Sequence, residues 1–289
     1  MATEDNPTLG RILLGQELRK LRDSAQLTAE QIAEYMETKQ PWISRIESGK
    51  RGIQVRDLRR LLDVYGVTDE AERERILALG RRPRQTRTWL RPYKDSIPPR
   101  YAEYIRLEEA AATIKNYEVA TVPGLLQTEL YARGVLGNGV GEISAAEVDV
   151  RVTVRLERQE RIFARDDPPR IWMVIDEAVL HRRVGGNAVM VEQLDRLLEF
   201  GRRSRCTLQV VPFAVGAYPG TAGSFSMVDF GHPNASPVPY IETVVGDLYP
   251  QKHAEIDTCS LAWEHLVAKA VAPDESARLI ADIKQREYA

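Results

Sequence analysis

Cysteine is scarce in this chain: two in 289 residues, Cys206 and Cys259. They lie far apart, and no Cys-x-x-Cys pair offers a zinc site, so two free thiols in a reducing compartment are expected. Long apolar runs are missing as well. No stretch of about 18 apolar residues occurs, which argues against a helical membrane span. The opening MATEDNPTLG has no basic segment leading into an apolar one, so no secretory signal is expected and the expected location is cytoplasmic. Aromatic residues make up only 7%, but 43% hydrophobic and 28% charged residues fit folded protein rather than disorder. The length allows two cores.

Catalytic signatures are equally thin. The chain has no Gly-x-Ser-x-Gly elbow, no phosphate-binding Walker pattern and no His-Glu-x-x-His, and Ser224 has no identifiable base. Glu177 and His181 stand four apart and share a helix face, as metal ligands can, but no third ligand can be placed. An ion pair, with Asp176 as a helix cap, is the plainer reading. Gly137-Asn138-Gly139-Val140-Gly141 does not follow a strand and reads as a loop. No cofactor and no metal is expected, and the chain is not read as an enzyme.

The net charge of −2 hides an asymmetry. Residues 1–94 carry 19 Lys and Arg against 14 Asp and Glu, and the remainder carries 21 against 28. A basic front and an acidic back point to phosphate contact by the front alone. In that front Leu14, Leu18 and Leu21 recur at helical spacing. Thr28-Ala29-Glu30-Gln31 is a capping box that opens a second helix, with Ile32, Ala33 and Met36 facing inward. A third helix is expected over Gln40–Ser48, with Pro41 in its first turn. Ile43 and Ile46 point into the core, Gln40, Trp42, Ser44 and Arg45 point out, and Gly49 ends the helix before Lys50 and Arg51. Val55–Tyr65 buries Leu58, Leu61, Leu62 and Tyr65, and Ile76, Leu77 and Leu79 mark a fifth helix.

LRKLRDSAQLTAEQIAEYM followed by ISRIESGKR resembles the Cro/CI-type (xenobiotic-response-element-type) helix-turn-helix over roughly residues 10–67. The resemblance implies double-stranded DNA as partner and a third helix lying in the major groove. By position, Gln40, Trp42, Ser44 and Arg45 become the base readers, Thr28 the cap of the supporting helix, and Lys50 and Arg51 phosphate clamps. Lys39 stands where the family often has Ser or Thr. Thr38 is an alternative cap one residue earlier, which leaves the register of the readers open by one position. Arg45 pairing with Glu47, and Trp42 packing under a loop, are the structural alternatives to base contact.

The expected architecture is an all-α five-helix helix-turn-helix domain (1–80), a basic linker (81–96) and a mixed α/β (α+β) domain (97–289). Within the linker the stretch Arg81–Lys94 holds Arg81, Arg82, Arg84, Arg87, Arg91 and Lys94 and no acid, and it either tracks DNA or is a solvated hinge. In the back domain helices are expected at Tyr101–Ala112, Ala145–Arg165, Ala188–Gly201, Ile256–Ala270 and Pro273–Glu287. Strands are expected at Ile171–Ile175, Leu208–Pro212, Phe225–Phe230 and Tyr240–Val245. The landmarks Pro123–Thr128, Arg155–Gln159, Asp176–Leu180, Gln209–Phe213 and Tyr240–Glu242 resemble WhiJ-like regulators of actinomycetes. That resemblance implies nucleoid-associated transcriptional control in development or antibiotic production, and a small partner protein in an antitoxin-like arrangement. A homodimer is expected, through Ala188–Gly201 or the closing helices. Gly216–Ser224, with Tyr218, Phe225 and Glu242, is the candidate rim for a partner or small-molecule effector. A DNA-targeted enzyme and an interaction scaffold are the competing classes.

Overall fold

A computed structural model of the chain describes residues 9–80, 89–138, 143–231, 236–250 and 252–289. These divide into two compact units. One holds the chain up to Pro92 with Pro99–Leu107, and the other holds Glu108–Gly231 with Pro237–Ala289. Arg81, Arg82, Arg84 and Arg87 of the expected linker, and Gly139–Gly141 of the glycine-rich loop, lie outside the described residues, as does the side chain of Leu79.

The first unit is helical: α1 (Leu9–Ser24), α2 (Ala29–Tyr35), α3 (Gln40–Glu47), α4 (Val55–Val64) and α5 (Glu70–Gly80). Leu14, Leu18, Ile32, Ala33, Met36, Ile43, Ile46, Leu58, Leu61, Leu62, Tyr65, Ile76 and Leu77 form one core. These are the apolar positions that repeat with helical period, each helix adding one stripe. Helix α1 packs on α3 and α5, and α2 packs on α3.

A turn of 3₁₀ helix at Arg91–Tyr93 precedes α6 (Pro99–Glu109). The rest alternates: β1 (Thr113–Glu118), α7 (Glu129–Leu136), α8 (Ala145–Phe163), β2 (Arg170–Asp176), α9 (Ala178–His181), α10 (Asn187–Gly201), β3 (Cys206–Val211), β4 (Phe225–Asp229), β5 (Val238–Tyr240), α11 (His253–Lys269) and α12 (Pro273–Glu287). The sheet order is β3-β2-β1-β4-β5. β1, β2 and β3 run parallel, joined by helical crossovers, and β4 and β5 pair antiparallel. Tyr117, Val174, Val211 and Met227 meet Trp263 and Leu266 of α11 in one core, and α10 and α12 pack on each other and on β3. The mixed α/β expectation holds.

Two strands depart from expectation. β1, the strand on which the parallel and antiparallel halves meet, was not expected at all. β5 ends at Tyr240, not Val245. Thr243 donates its hydroxyl hydrogen to the Gly246 carbonyl at 2.6 Å, and Gly246 has φ +128°. Chain reversal there puts Ile241 opposite Leu248 in a bridge, so Val244 and Val245 sit on a turn.

Candidate DNA interface

Helix α2 is opened by Thr28, whose hydroxyl accepts from the Gln31 amide at 3.2 Å while the Gln31 side chain accepts from the Thr28 amide at 2.8 Å. The capping box is thus reciprocal. α2 closes on Glu37, a non-glycine residue at φ +50°, with the Thr38 amide donating to the Ala33 carbonyl at 2.8 Å. α3 then starts at Gln40 with Lys39 as its N-cap residue and no side-chain cap. Thr38 does not cap it, so the register is that of Lys39.

Ile43 and Ile46 are buried, and Gln40, Ser44 and Arg45 are exposed. Gln40 donates to Ser44 Oγ at 3.0 Å, so these two exposed side chains share a bond one turn apart. Trp42 packs half-buried against the helical core. Arg45 does not pair with Glu47. That carboxylate is taken by Arg22 of α1 through two bonds, Nε to Oε1 at 2.6 Å and Nη2 to Oε2 at 3.1 Å. Arg22 also donates to the Leu27 carbonyl at 3.0 Å. One guanidinium therefore ties α1, the loop into α2 and the end of α3, and Glu47 in turn holds the Arg22 pKa above its ordinary value. Arg45 has no side-chain partner among the described residues and is free to reach outward.

Gly15 seats the same helix end. A Cβ there would lie 2.6 Å from the Ile46 carbonyl oxygen and closer still to that of Glu47, so α1 crosses α3 backbone to side-chain-free backbone. Gly49, at φ +70°, then turns the chain out of α3, and Lys50 and Arg51 follow exposed. Arg22 and Gly15 escaped the sequence reading because their partners are distant in sequence.

In the second unit the family-like landmarks meet. Gln159 donates to the Gly124 and Gln127 carbonyls at 2.8 and 2.9 Å, Arg155 donates to Gln127 Oε1 at 2.6 Å, and Arg158 forms a buried fork with Glu108. Gln193 completes the set, bonding the Leu126 carbonyl and the Thr128 amide, each at 2.8 Å. The Pro123–Thr128 turn is thus held by side chains from α8 and α10.

Of the candidate rim residues, Tyr218 is only 8% exposed. Its hydroxyl donates to Asp176 and lies 2.7 Å from that of Tyr117, whose ring also meets Phe225 at 6.2 Å. Tyr218 and Phe225 are therefore brought together inside, around Tyr117. The glycine-rich stretch is pinned at this point, because a buried phenol needs its hydrogen bonds. Glu242 is exposed. It raises the pKa of Glu118, which burial, the largest cause, pushes up to about 7 against the lowering bonds from Ser224 and Asn116. Asp176 caps the Ala178 amide at 2.8 Å, and His181 lies 2.9 Å from Glu287 and 3.5 Å from Glu177. No group of three or more His, Cys, Asp or Glu side chains placed to hold a metal occurs among the described residues, and no described helix is long and apolar enough to cross a membrane. Both cysteines are free.

Residues 13–76 match the family model described as Helix-turn-helix domain. Residues 101–282 match the one described as Domain of unknown function (DUF5753). No curated protein and no solved structure matches the chain. The second match spans well over half of the 289 residues. With a helix-turn-helix head in front of it, the chain belongs to the family of the Domain of unknown function, DUF5753.

Proposed function

We propose that the chain is a sequence-specific, DNA-binding transcriptional regulator of the Cro/CI type that works as a homodimer in the cytoplasm, on the nucleoid. The observation that carries this is the division of α3 into a fixed side and a free side. Ile43, Ile46 and the Arg22–Glu47 fork fix it, and Gln40, Ser44 and Arg45 stand outward. Arg and Gln can bond base edges in pairs, at about 1–3 kcal/mol of discrimination each. Thr28 holds the supporting helix, Lys50 and Arg51 add salt-dependent affinity that is blind to sequence, and Trp42 keeps part of its surface available while packing on the core. Pairing places two such heads about 34 Å apart on one face of DNA. The likeness to WhiJ-like regulators of actinomycetes supports a developmental or antibiotic-regulatory, antitoxin-like role. In that role the second unit answers to a small partner protein or a small-molecule effector and performs no catalysis. Tyr218, Phe225 and Glu242 mark the end of the sheet where such a signal enters, with Glu242 the group on the surface.

Genome-wide mapping of bound DNA tests the reading. Arg45→Ala is expected to erase the difference between selective and background sites. Lys50→Ala is expected to weaken all DNA alike and to lower the salt slope by about one. An unchanged ranking of sites with Arg45→Ala refutes α3 as the reader.

A further inference from the structure

Helix α8 leaves a shallow cleft on each side. Toward α10 lies a cavity of about 380 Å³, whose lining includes Phe163, Arg196 and Arg203. Toward α7 lies one of about 560 Å³, whose lining includes Glu129, Asp149 and Glu157. Leu156 and Glu160 line both, so they form the crest between them. Asp149, Thr153, Leu156, Glu160 and Ala164 follow one another at helical spacing, a single outward stripe.

The charges on this face are sorted. The crest and the α7 side are acidic on balance: Arg133, in the same lining, pairs with Glu129 and Asp149, Glu157 pairs with Arg161 at 2.8 Å, and Glu160 is the acid left over. The α10 side carries two guanidiniums with little to answer them. The ion pair of Arg196 is with Glu199 at 4.0 Å, and Arg203 lies over the Phe163 ring at 5.0 Å with no ion pair among the described residues. Burial and the charge of Arg203 both lower the pKa of Arg196. Glu160 has no ion pair among the described residues either. A surface that carries an acidic crest beside a basic cleft is complementary to itself under a two-fold rotation, the arrangement of an isologous pair.

We propose that this face binds the same face of a second copy of the chain, the acidic crest of each α8 seated in the arginine-lined cleft of the other. The size fits. Helices α8, α7 and α10 have nineteen, eight and fifteen residues, about 28, 12 and 22 Å long, so at about 9–10 Å spacing the face offers on the order of 600 Å² per copy, the lower end of a standard interface. Arg203, with no ion pair among the described residues, then meets Glu160 of the other copy, and Arg196, with only the 4.0 Å contact to Glu199, gains an acid beside it. The proposal deepens the reading of the chain as a paired DNA reader and names the surface that pairs it.

Sedimentation equilibrium of the full chain at about physiological salt tests it without DNA. The wild type is expected to be a dimer. Arg196→Glu with Arg203→Glu, and separately Glu157→Arg with Glu160→Arg, are each expected to raise the dimer Kd by about 100-fold, roughly threefold for each of the four contacts reversed in a two-fold pair. An equimolar mixture of the two variants is expected to dimerise again, because each then supplies what the other lacks. That rescue also shows that both variants are folded. A monomeric wild type, variants with unchanged Kd, or a mixture that stays monomeric overturns the proposal. DNA binding, read separately by gel shift, distinguishes the two claims: a rescued dimer that ignores DNA supports this interface and refutes the reading head.

Discussion

Removing the guanidinium of Arg22 isolates what fixes the reading helix. Arg22 is 12% exposed and Glu47 8% in their side chains. Arg22→Met leaves the Glu47 carboxylate at the foot of α3 without its two bonds. Its near neighbour Tyr65 has a buried hydroxyl with no hydrogen-bond partner among the described residues, and burial, the Glu47 charge assisting, raises that phenol's pKa. Breaking one side of a buried ion pair costs about 3–5 kcal/mol, and the lower end applies at the edge of a small unit. The contact with exposed Asp23 at 2.8 Å adds little. Glu47→Leu alone is expected to cost less, about 1–2 kcal/mol, since Arg22 keeps the Leu27 carbonyl. In the double variant neither charge is buried alone, and its loss is expected to stay near 1 kcal/mol rather than reach the sum of the two. Urea-dependent hydrogen exchange of the α1 and α3 amides reads the helical unit by itself. A loss below about 1 kcal/mol for Arg22→Met, or strict additivity in the double variant, refutes the argument.

Gly15→Ala is expected to lower the stability of the same unit by about 1–3 kcal/mol, because the new methyl meets the carbonyls at the end of α3; an unchanged melting profile counts against that close approach. Glu118 gives a pH dependence. Its pKa rises from 4.5 to about 7 in the folded chain, so between those values the folded state keeps a proton that the unfolded state has released. Its favourable contribution is complete below the unfolded value and is lost as pH rises through 7, by up to about 3 kcal/mol at 1.36 kcal/mol for each unit. Glu118→Gln is expected to flatten that slope in denaturant titrations at pH 5 and 8, and equal slopes in both proteins refute it.

The helical unit was legible because each helix writes its core stripe and its caps locally: Thr28 with Gln31, Ile43 with Ile46, Gly49 after α3. What joins the helices was not. Arg22 and Glu47 are 25 residues apart, and each looks like an ordinary surface charge in its own helix. β1 failed for a related reason. Thr-Ile-Lys-Asn-Tyr-Glu lacks the apolar run of a central strand, because its polar groups are satisfied by neighbours from elsewhere. Asn116 bonds Ser226 at 2.8 Å, and Lys115 lies over the Trp263 ring at 5.8 Å. Tyr218 sits among glycines that suggest an open loop, and Asp176 and Tyr117, 42 and 101 residues away, make it a buried post. The landmarks Pro123–Thr128 and Arg155–Gln159 were legible as a likeness before their mutual hydrogen bonds gave them a physical role.

The position of β1 in the sheet also sets an order of events during synthesis. The five helices share their unit with Pro99–Leu107, so that unit is complete once the chain reaches Leu107. β1 cannot be flanked until β2 ends at Asp176 and β4 at Asp229. At about 5–20 residues per second, roughly 6–25 s separate the completion of the first unit from the arrival of β4. For that interval a growing chain presents a finished helix-turn-helix while its second unit still lacks the strand that closes β1, and chaperones that bind open sheet edges have their longest opportunity there.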